Sequence, residues 1–294
     1  MQAPLPVRDG IAPSYIWIPE GHWDNVFHFL QAYFPDINAS TWQARLEKHE
    51  VADQHGTVLH AGSSVKRGMC IFYYRELEHE THIPFYEDIL FQDAHLLVVD
   101  KPHFLPVIPS GRFLQETLLV RLKKSTGLMD LSPIHRLDRE TAGVMLFSHN
   151  PVTRGQYQSL FQSKSMAKTY HAIAAHLPEL TFPLRHCSRM EEAEKFFVMR
   201  EAEGSPNSET LINIKERRGE HSLYQLQPLT GRKHQLRLHM SSLGAPILND
   251  AFYPVALPCK ADDFSAPLQL LAKSIYFDDP LTGQQRYFES KKSL

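Results

Sequence analysis

The sequence predicts a mixed α/β chain in which helices flank a largely antiparallel sheet, preceded by a small module of helices and a hairpin. Composition changes near residue 85, and beyond it short β-prone runs alternate with helical apolar spacing. Between these runs the sequence has none of the glycine-rich turns of a dinucleotide-binding fold. The expected division is residues 1–85 for the module and residues 86–294 for the main domain.

In the module, Trp23, Val26, Phe27, Leu30 and Phe34 recur at helical spacing until Pro35 stops the run. Trp42 and Leu46 mark a second short helix. Val51 to Arg75 reads as strand and turn, with Gly56 and Gly62 bracketing a hairpin and Cys70 to Tyr74 supplying a β-prone run. Glu76 to Asp88, acidic and broken by Pro84, reads as the connector.

In the main domain, His95 to Asp100 is a strand ending at Lys101-Pro102, and Val144 to Phe147 is another. Asn150-Pro151 signals a helix start. Alternation over Lys168 to His176 puts Tyr170, Ala172 and Ala174 on one strand face, so Tyr170 is expected to face a pocket. Leu236, Met240 and Leu243, followed by Gly244 and Pro246, predict a helix with a glycine stop and with Arg237 beside its apolar stripe.

Composition narrows the function. At 294 residues and 43% hydrophobic content the chain can bury a large core without staples. Cys70, Cys187 and Cys259 are far apart in sequence, so neither a disulfide framework nor a Cys-x-x-Cys pair is expected. The opening MQAPLPVRDGIAPS has no apolar stretch after a basic start, and no apolar run is long enough to span a bilayer. A cytoplasmic protein with no membrane association is therefore expected, and a monomer is the default. With 31 basic and 33 acidic side chains, and pI near 6.8, any nucleic-acid contact must come from a local basic strip.

The densest chemistry lies in His135-Arg136-Leu137-Asp138-Arg139-Glu140-Thr141-Ala142-Gly143, just ahead of the Val144 strand, where loops commonly hold catalytic groups. Taken alone it also reads as a solvated charged turn in which Asp138 caps backbone amides. Further motifs follow in order: Val98 to Pro102 with Leu105-Pro106-Val107; Lys168-Thr169-Tyr170; Thr230-Gly231-Arg232-Lys233-His234-Gln235-Leu236-Arg237-Leu238-His239; and Leu243-Gly244-Ala245-Pro246-Ile247-Leu248-Asn249-Asp250. Over roughly residues 86 to 285 this series resembles the RluA-type RNA pseudouridine synthases. Leu271, in Leu268-Gln269-Leu270-Leu271-Ala272, stands where that family often has histidine, and Ala142 stands where serine is commoner.

The resemblance implies a pseudouridine synthase fold with a bent, largely antiparallel sheet, and an isomerase that turns uridine into pseudouridine in ribosomal large-subunit RNA, transfer RNA or both. The dual-substrate branch is the expectation here. It also implies no cofactor, because the isomerisation moves one glycosidic bond and gains or loses no atoms. By resemblance Asp138 is the catalytic carboxylate, Arg237 its partner, and Tyr170 the residue packed against the target uracil that moves the C5 proton. These identities suit the chemistry: an aspartate is ionised at neutral pH, and a paired guanidinium keeps it charged and oriented away from water.

The target base must leave its stack to reach a buried carboxylate. By resemblance Arg136 inserts at the vacated place, with His135 beside it, while Leu137, Thr141, Gln235 and Leu270 meet the substrate. Arg232, Lys233 and His234 are candidates to neutralise phosphates, as are Arg121, Lys123 and Lys124. His221, His234 and His239 fit no common metal spacing, so no metal is expected. The amino-terminal module, over Thr41 to Arg75, resembles a small RNA-binding domain of ribosomal-protein type. Two other readings stay open at this level: an inactive RNA-binding protein of the same fold, and a nucleoside or glycoside hydrolase pairing Asp138 with Glu140.

Overall fold

The computed structural model describes residues 3–77, 79–163, 165–194, 197–257 and 263–294, so Cys259 lies outside the described residues. The elements are β1 (Ser14–Trp17), α1 (Val26–Tyr33), α2 (Ala39–Glu47), β2 (Val51–Asp53), β3 (Cys70–Tyr73), β4 (Asp88–Gln92), β5 (Leu96–Lys101), α3 (Leu118–Thr126), β6 (Ser132–Pro133) and β7 (Ala142–Ser148). They continue with α4 (Arg154–Gln162), β8 (Met166–Ala175), β9 (Leu184–Glu192), β10 (Met199–Ala202), β11 (Ser208–Arg218), β12 (His221–Pro228), α5 (Gln235–Ser242), β13 (Leu270–Asp278) and β14 (Gln285–Glu289). Contacts divide the chain into two units: residues up to Glu80 with Pro109–Gln115, and Thr81–Ile108 with Glu116–Leu294.

The first unit packs α1 and α2 on an antiparallel sheet of order β1-β3-β2. The first helix starts three residues later than its apolar spacing implies, because the Asn25 side chain caps it by accepting the His28 amide at 2.9 Å. Trp23 lies outside the helix but still packs edge-on against Phe29 at 5.0 Å, which is why the spacing continues through the cap. Val26, Phe29, Leu30, Trp42, Leu46 and Ile71 form the core. Glu80 accepts the Gln115 amide at 2.8 Å, which ties Pro109–Gln115 to this unit.

In the second unit an eleven-stranded sheet runs β10-β9-β11-β12-β8-β13-β7-β5-β4, with β14 on β13 and β6 on β7. All its pairings are antiparallel except β13 with β7. Every residue of β5 and β7 is buried, which explains why both read as unbroken apolar runs rather than alternating ones. Asn150-Pro151 forms a turn, with Asn150 Oδ1 accepting the Val152 amide at 3.1 Å, and α4 begins only at Arg154.

Register across this sheet collects the dispersed motifs. Lys101, Gly143, Ala272, Tyr170 and Leu226 lie side by side in one row across β5, β7, β13, β8 and β12. The HRLD turn leads into this row at Gly143, and the chain leaving Leu226 runs on into the Thr230 to Arg237 loop and α5. Helix α5 packs across β9, β10, β11 and β12, so Gln235 to Met240 are all buried, not just one stripe. Among the described residues, no helix is long and apolar enough to cross a membrane.

Candidate active site

The HRLD turn is clamped from two sides before Asp138 is presented. Toward the sheet, the Ile134 amide bonds the Leu146 carbonyl at 3.0 Å, and the Leu146 amide donates to His135 Nε2 at 3.1 Å. The imidazole thus extends the strand ladder and stacks on Phe161 at 4.6 Å. Burial, helped by the positive charge of Lys168, pushes this imidazole down to about 4, so it is neutral at pH 7 and able to accept. Beneath the turn, the fully buried Lys101 ammonium donates to the carbonyls of Pro102 (3.0 Å), Leu105 (2.8 Å) and Arg139 (2.9 Å). Its three protons therefore meet three acceptors. Burial lowers Lys101 to about 7 although Glu140 and Asp138 pull the other way.

Arg237, 1% exposed, meets Asp138 and a second carboxylate. Its Nη1 lies 3.4 Å from Asp138 Oδ2, while Nε and Nη2 fork onto Asp250 at 2.7 and 2.6 Å. Burial opposes the guanidinium charge, but the Asp250 hydrogen bonds, with Asp250, Asp138 and Glu140 charges, outweigh it and hold the group firmly protonated. Asp250 is held in turn by the amides of Phe252 (2.8 Å) and Tyr253 (3.2 Å), and the Phe252 ring lies 4.7 Å from the guanidinium carbon. Asp250 rather than Asp138 therefore fixes the arginine, and the free Nη1 is aimed at the cleft carboxylate.

Asp138 sits at the edge of a cleft of about 1090 Å³, large enough for a nucleotide. Twelve of the candidate residues named from the sequence border it: His135, Arg136, Leu137, Asp138, Thr141, Tyr170, Arg232, Lys233, His234, Gln235, Arg237 and Leu270; Arg121, Lys123, Lys124 and Glu140 do not. Tyr170 and Leu270 come from neighbouring strands and form one wall. Burial and the Asp138 charge raise the Tyr170 phenol well above its ordinary range, so it is neutral, and its hydroxyl has no hydrogen bond among the described residues. Arg136 is exposed and makes no ion pair among the described residues, so it is unencumbered.

Several of these residues do other work than the sequence implied. The Gln235 amide donates to the Glu209 carbonyl and Thr210 Oγ1, each at 2.9 Å, and accepts from Thr230 Oγ1 at 2.6 Å and the Arg232 amide at 3.1 Å. All its hydrogen-bonding capacity goes into shaping the loop, leaving none for substrate. His234 does not supply positive charge to phosphates: burial pushes it to about 4, its Nδ1 meets the Tyr253 hydroxyl at 3.2 Å, and its Nε2 lies 3.8 Å from Asp138. His135 is likewise committed to the strand. Arg121 bonds the Phe85 and Ile83 carbonyls and pairs with Glu116, and Lys123 is buried, so neither faces RNA.

Of His221, His234 and His239, which share no metal spacing in the sequence, only His239 joins a cluster of ligand-type side chains among the described residues. It lies beside His186 and Glu201, with ligand-type atoms within 4.8 Å of one another. Each already has a partner: Nδ1 of His239 meets Thr210 Oγ1 at 2.9 Å, its Nε2 meets Ser208 Oγ at 2.9 Å, and His186 pairs with Glu201 at 2.9 Å. Glu140, the second acid of the hydrolase reading, leans on the same Arg237 Nη1 at 3.9 Å and is not among the residues bordering the cleft. Asp250 and Lys101 lie within the motif segments, but nothing local marks a residue whose partner comes from another segment.

Residues 95–242 match the family described as RNA pseudouridylate synthase. The dual-specificity RNA pseudouridine synthase RluA of Haemophilus influenzae is 31% identical over 74% of this chain and 99% of its own length. The mouse pseudouridylate synthase RPUSD2 is 32% identical over 56% of this chain, a segment that makes up 30% of that protein. The solved structure of human RNA Pseudouridylate Synthase Domain Containing 4 is 27% identical and aligns with a TM-score of 0.54, covering 69% of this chain and 87% of that one.

Proposed function

Because this chain belongs to the RNA pseudouridylate synthase family and is an isomerase acting on RNA, we propose that Asp138 is its nucleophile, Arg237 the residue that orients it, and Tyr170 the base-stacking partner that moves the C5 proton. The observation that carries this reading is the Arg237 Nη1 contact to Asp138 at the edge of a nucleotide-sized cleft, with Asp250 occupying the rest of the guanidinium. A carboxylate so held stays charged and pointed as water is expelled.

The reaction breaks the bond from ribose C1′ to uracil N1 and forms one from C1′ to C5. The C5 proton leaves and N1 gains one, so the balance closes without oxidant or metal. Tyr170 borders the cleft as a neutral phenol without a hydrogen-bond partner among the described residues, which supports a role against the turned base. The unencumbered Arg136 supports the role of filling the place the base leaves.

For substrate, the proposal is uridines in both transfer and ribosomal RNA; relatives named for tRNA pseudouridine and one named for dual specificity support more than one RNA target. The free Cys70 and Cys187 suit a reducing, cytoplasmic setting, and a monomer is the simplest form. The test uses transfer and large-subunit ribosomal transcripts carrying tritium at uracil C5. The unaltered protein is expected to release label to water, and Asp138→Ala none above background. Release by both proteins, or by neither on any transcript, contradicts the mechanism.

A further inference from the structure

The cleft holds one cation that the isomerisation as described does not use. Lys168 lies two residues before Tyr170 on β8, so both side chains project from the same face of the strand, and both border the cleft. The Lys168 side chain is half-buried, yet its ammonium makes no hydrogen bond or ion pair with any described residue. Its nearest compensation is the Phe161 ring, whose centroid lies 5.9 Å from Nζ. An aromatic face at that distance attracts a cation only weakly, too little to offset removing an ammonium from water. Burial accordingly lowers its pKa.

Buried cations are ordinarily paired, and Lys101 in the same unit shows how this chain satisfies one that must stay inside. Lys168 is the contrasting case: enclosed, open on the cleft side, and short of an anion. Directly across from it runs the Thr230 to Lys233 loop. A Cβ placed on Gly231 would be 4.0 Å from Lys168 Nζ, so the ammonium abuts the one residue of that loop with no side chain. Arg232 follows it, exposed at the cleft rim, its Nε on the Asn207 carbonyl at 3.2 Å. The Arg232 amide is spent on Gln235, which sets the loop rigidly opposite Lys168.

We propose that Lys168, facing the Gly231-Arg232 turn, is the seat for an RNA backbone phosphate flanking the turned-out uridine. The seat deepens the RNA isomerase reading and rests on it for the identity of the polymer. A phosphodiester supplies the missing anion, and its oxygens accept from an ammonium as a point charge without bidentate geometry. Because Lys168 and Tyr170 share one strand face, fixing the phosphate on the first sets the distance at which the base meets the second.

The test measures affinity for a fluorescein-labelled RNA stem-loop with uridine in its loop, by anisotropy, from low to moderate salt. The proteins are the unaltered chain, Lys168→Met and Lys168→Arg. Lys168→Met is expected to bind about ten-fold more weakly at low salt, and its slope of log affinity against log salt to be shallower by about 0.7–0.9, the amount for one phosphate contact. Lys168→Arg should restore most of the slope. Lys168→Met should melt no lower than the unaltered protein, since it removes an unpaired buried charge; should it fail to fold, Lys168→Gln takes its place in the same titration. An unchanged slope in the neutral variant overturns the seat. A changed slope in a protein that releases no tritium from any transcript upholds the seat and overturns the isomerase mechanism, so the two failures are told apart.

Discussion

At the scale of single residues, the site depends on which carboxylate owns Arg237. The fork onto Asp250 at 2.6 and 2.7 Å is shorter and better directed than the 3.4 Å contact to Asp138. Asp250 is therefore a positioning residue whose effect on chemistry passes through the guanidinium. Asp250→Ala leaves Nε and Nη2 of the buried guanidinium without an acceptor and should cost about 3–5 kcal/mol of stability. Asp250→Asn, which keeps the shape, should fold better yet lower kcat with little change in KM, because Nη1 is no longer aimed at Asp138. Urea melts and tritium-release kinetics read the two effects; a variant with Ala at 250 that unfolds within about 1 kcal/mol of the unaltered protein would contradict the assignment. Asp138, Tyr170 and Arg237 were legible in the sequence because their motifs carry their chemical types. The role of Asp250 was not, because a buried pair has no signal in either segment alone.

At the scale of elements, the one parallel pairing in the sheet, β13 with β7, is what brings the HRLD turn beside Tyr170. It depends on Gly143, which has φ of +114°, and whose hypothetical Cβ would lie 2.2 Å from the Ala272 carbonyl oxygen. No side chain fits there, so the glycine closing the HRLDRETAG motif serves strand contact rather than chemistry. Gly143→Ala should part the two strands, costing more than about 4 kcal/mol or yielding insoluble protein. Soluble expression and a denaturation midpoint like that of the unaltered chain would argue against this account. Element types were readable where an apolar run was unbroken, as in β5 and β7, or where side chains alternated, as in β8. Strand β1 was not foreseen, since four residues with alternating partial exposure give too short a pattern. The full burial of α5 was hidden because its polar residues, Gln235, Arg237 and His239, find partners on other elements.

At the scale of the whole molecule, near-neutrality conceals an uneven distribution of charge. Acids outnumber bases in the first unit, through residues such as Asp9, Glu20, Asp24, Asp36 and Glu47. Stability should also depend on pH through buried histidines. His135, His234 and His239 are pushed by burial from an ordinary value of 6.5 to about 4. Between those values the unfolded chain binds more protons than the folded one, so stability is fully present above pH 6.5 and is lost as pH falls toward 4. Each ring contributes up to roughly 3 kcal/mol. Tm should therefore drop steadily across that window, and His135→Gln should flatten part of the slope; a level Tm from pH 6.5 to 4 would sink the claim.

The sequence by itself determined the repertoire: a mixed α/β chain, some of its strands and helices, among them β5, β7, β8, α1 and α5, and an ordered set of motifs bearing a carboxylate, an arginine and a tyrosine suited to one reaction. Those properties are local, written in spacing of two or 3.6 residues and in side-chain type. The tertiary structure alone decided how charge is managed. It gave Arg237 to Asp250, clamped the HRLD turn with Lys101, consumed Gln235 in the loop, kept the imidazoles of His135, His234 and His239 neutral and left Lys168 without an anion among the described residues. Desolvation and pairing depend on what lies within a few ångströms in space, and here the partners come from strands and loops far apart along the chain.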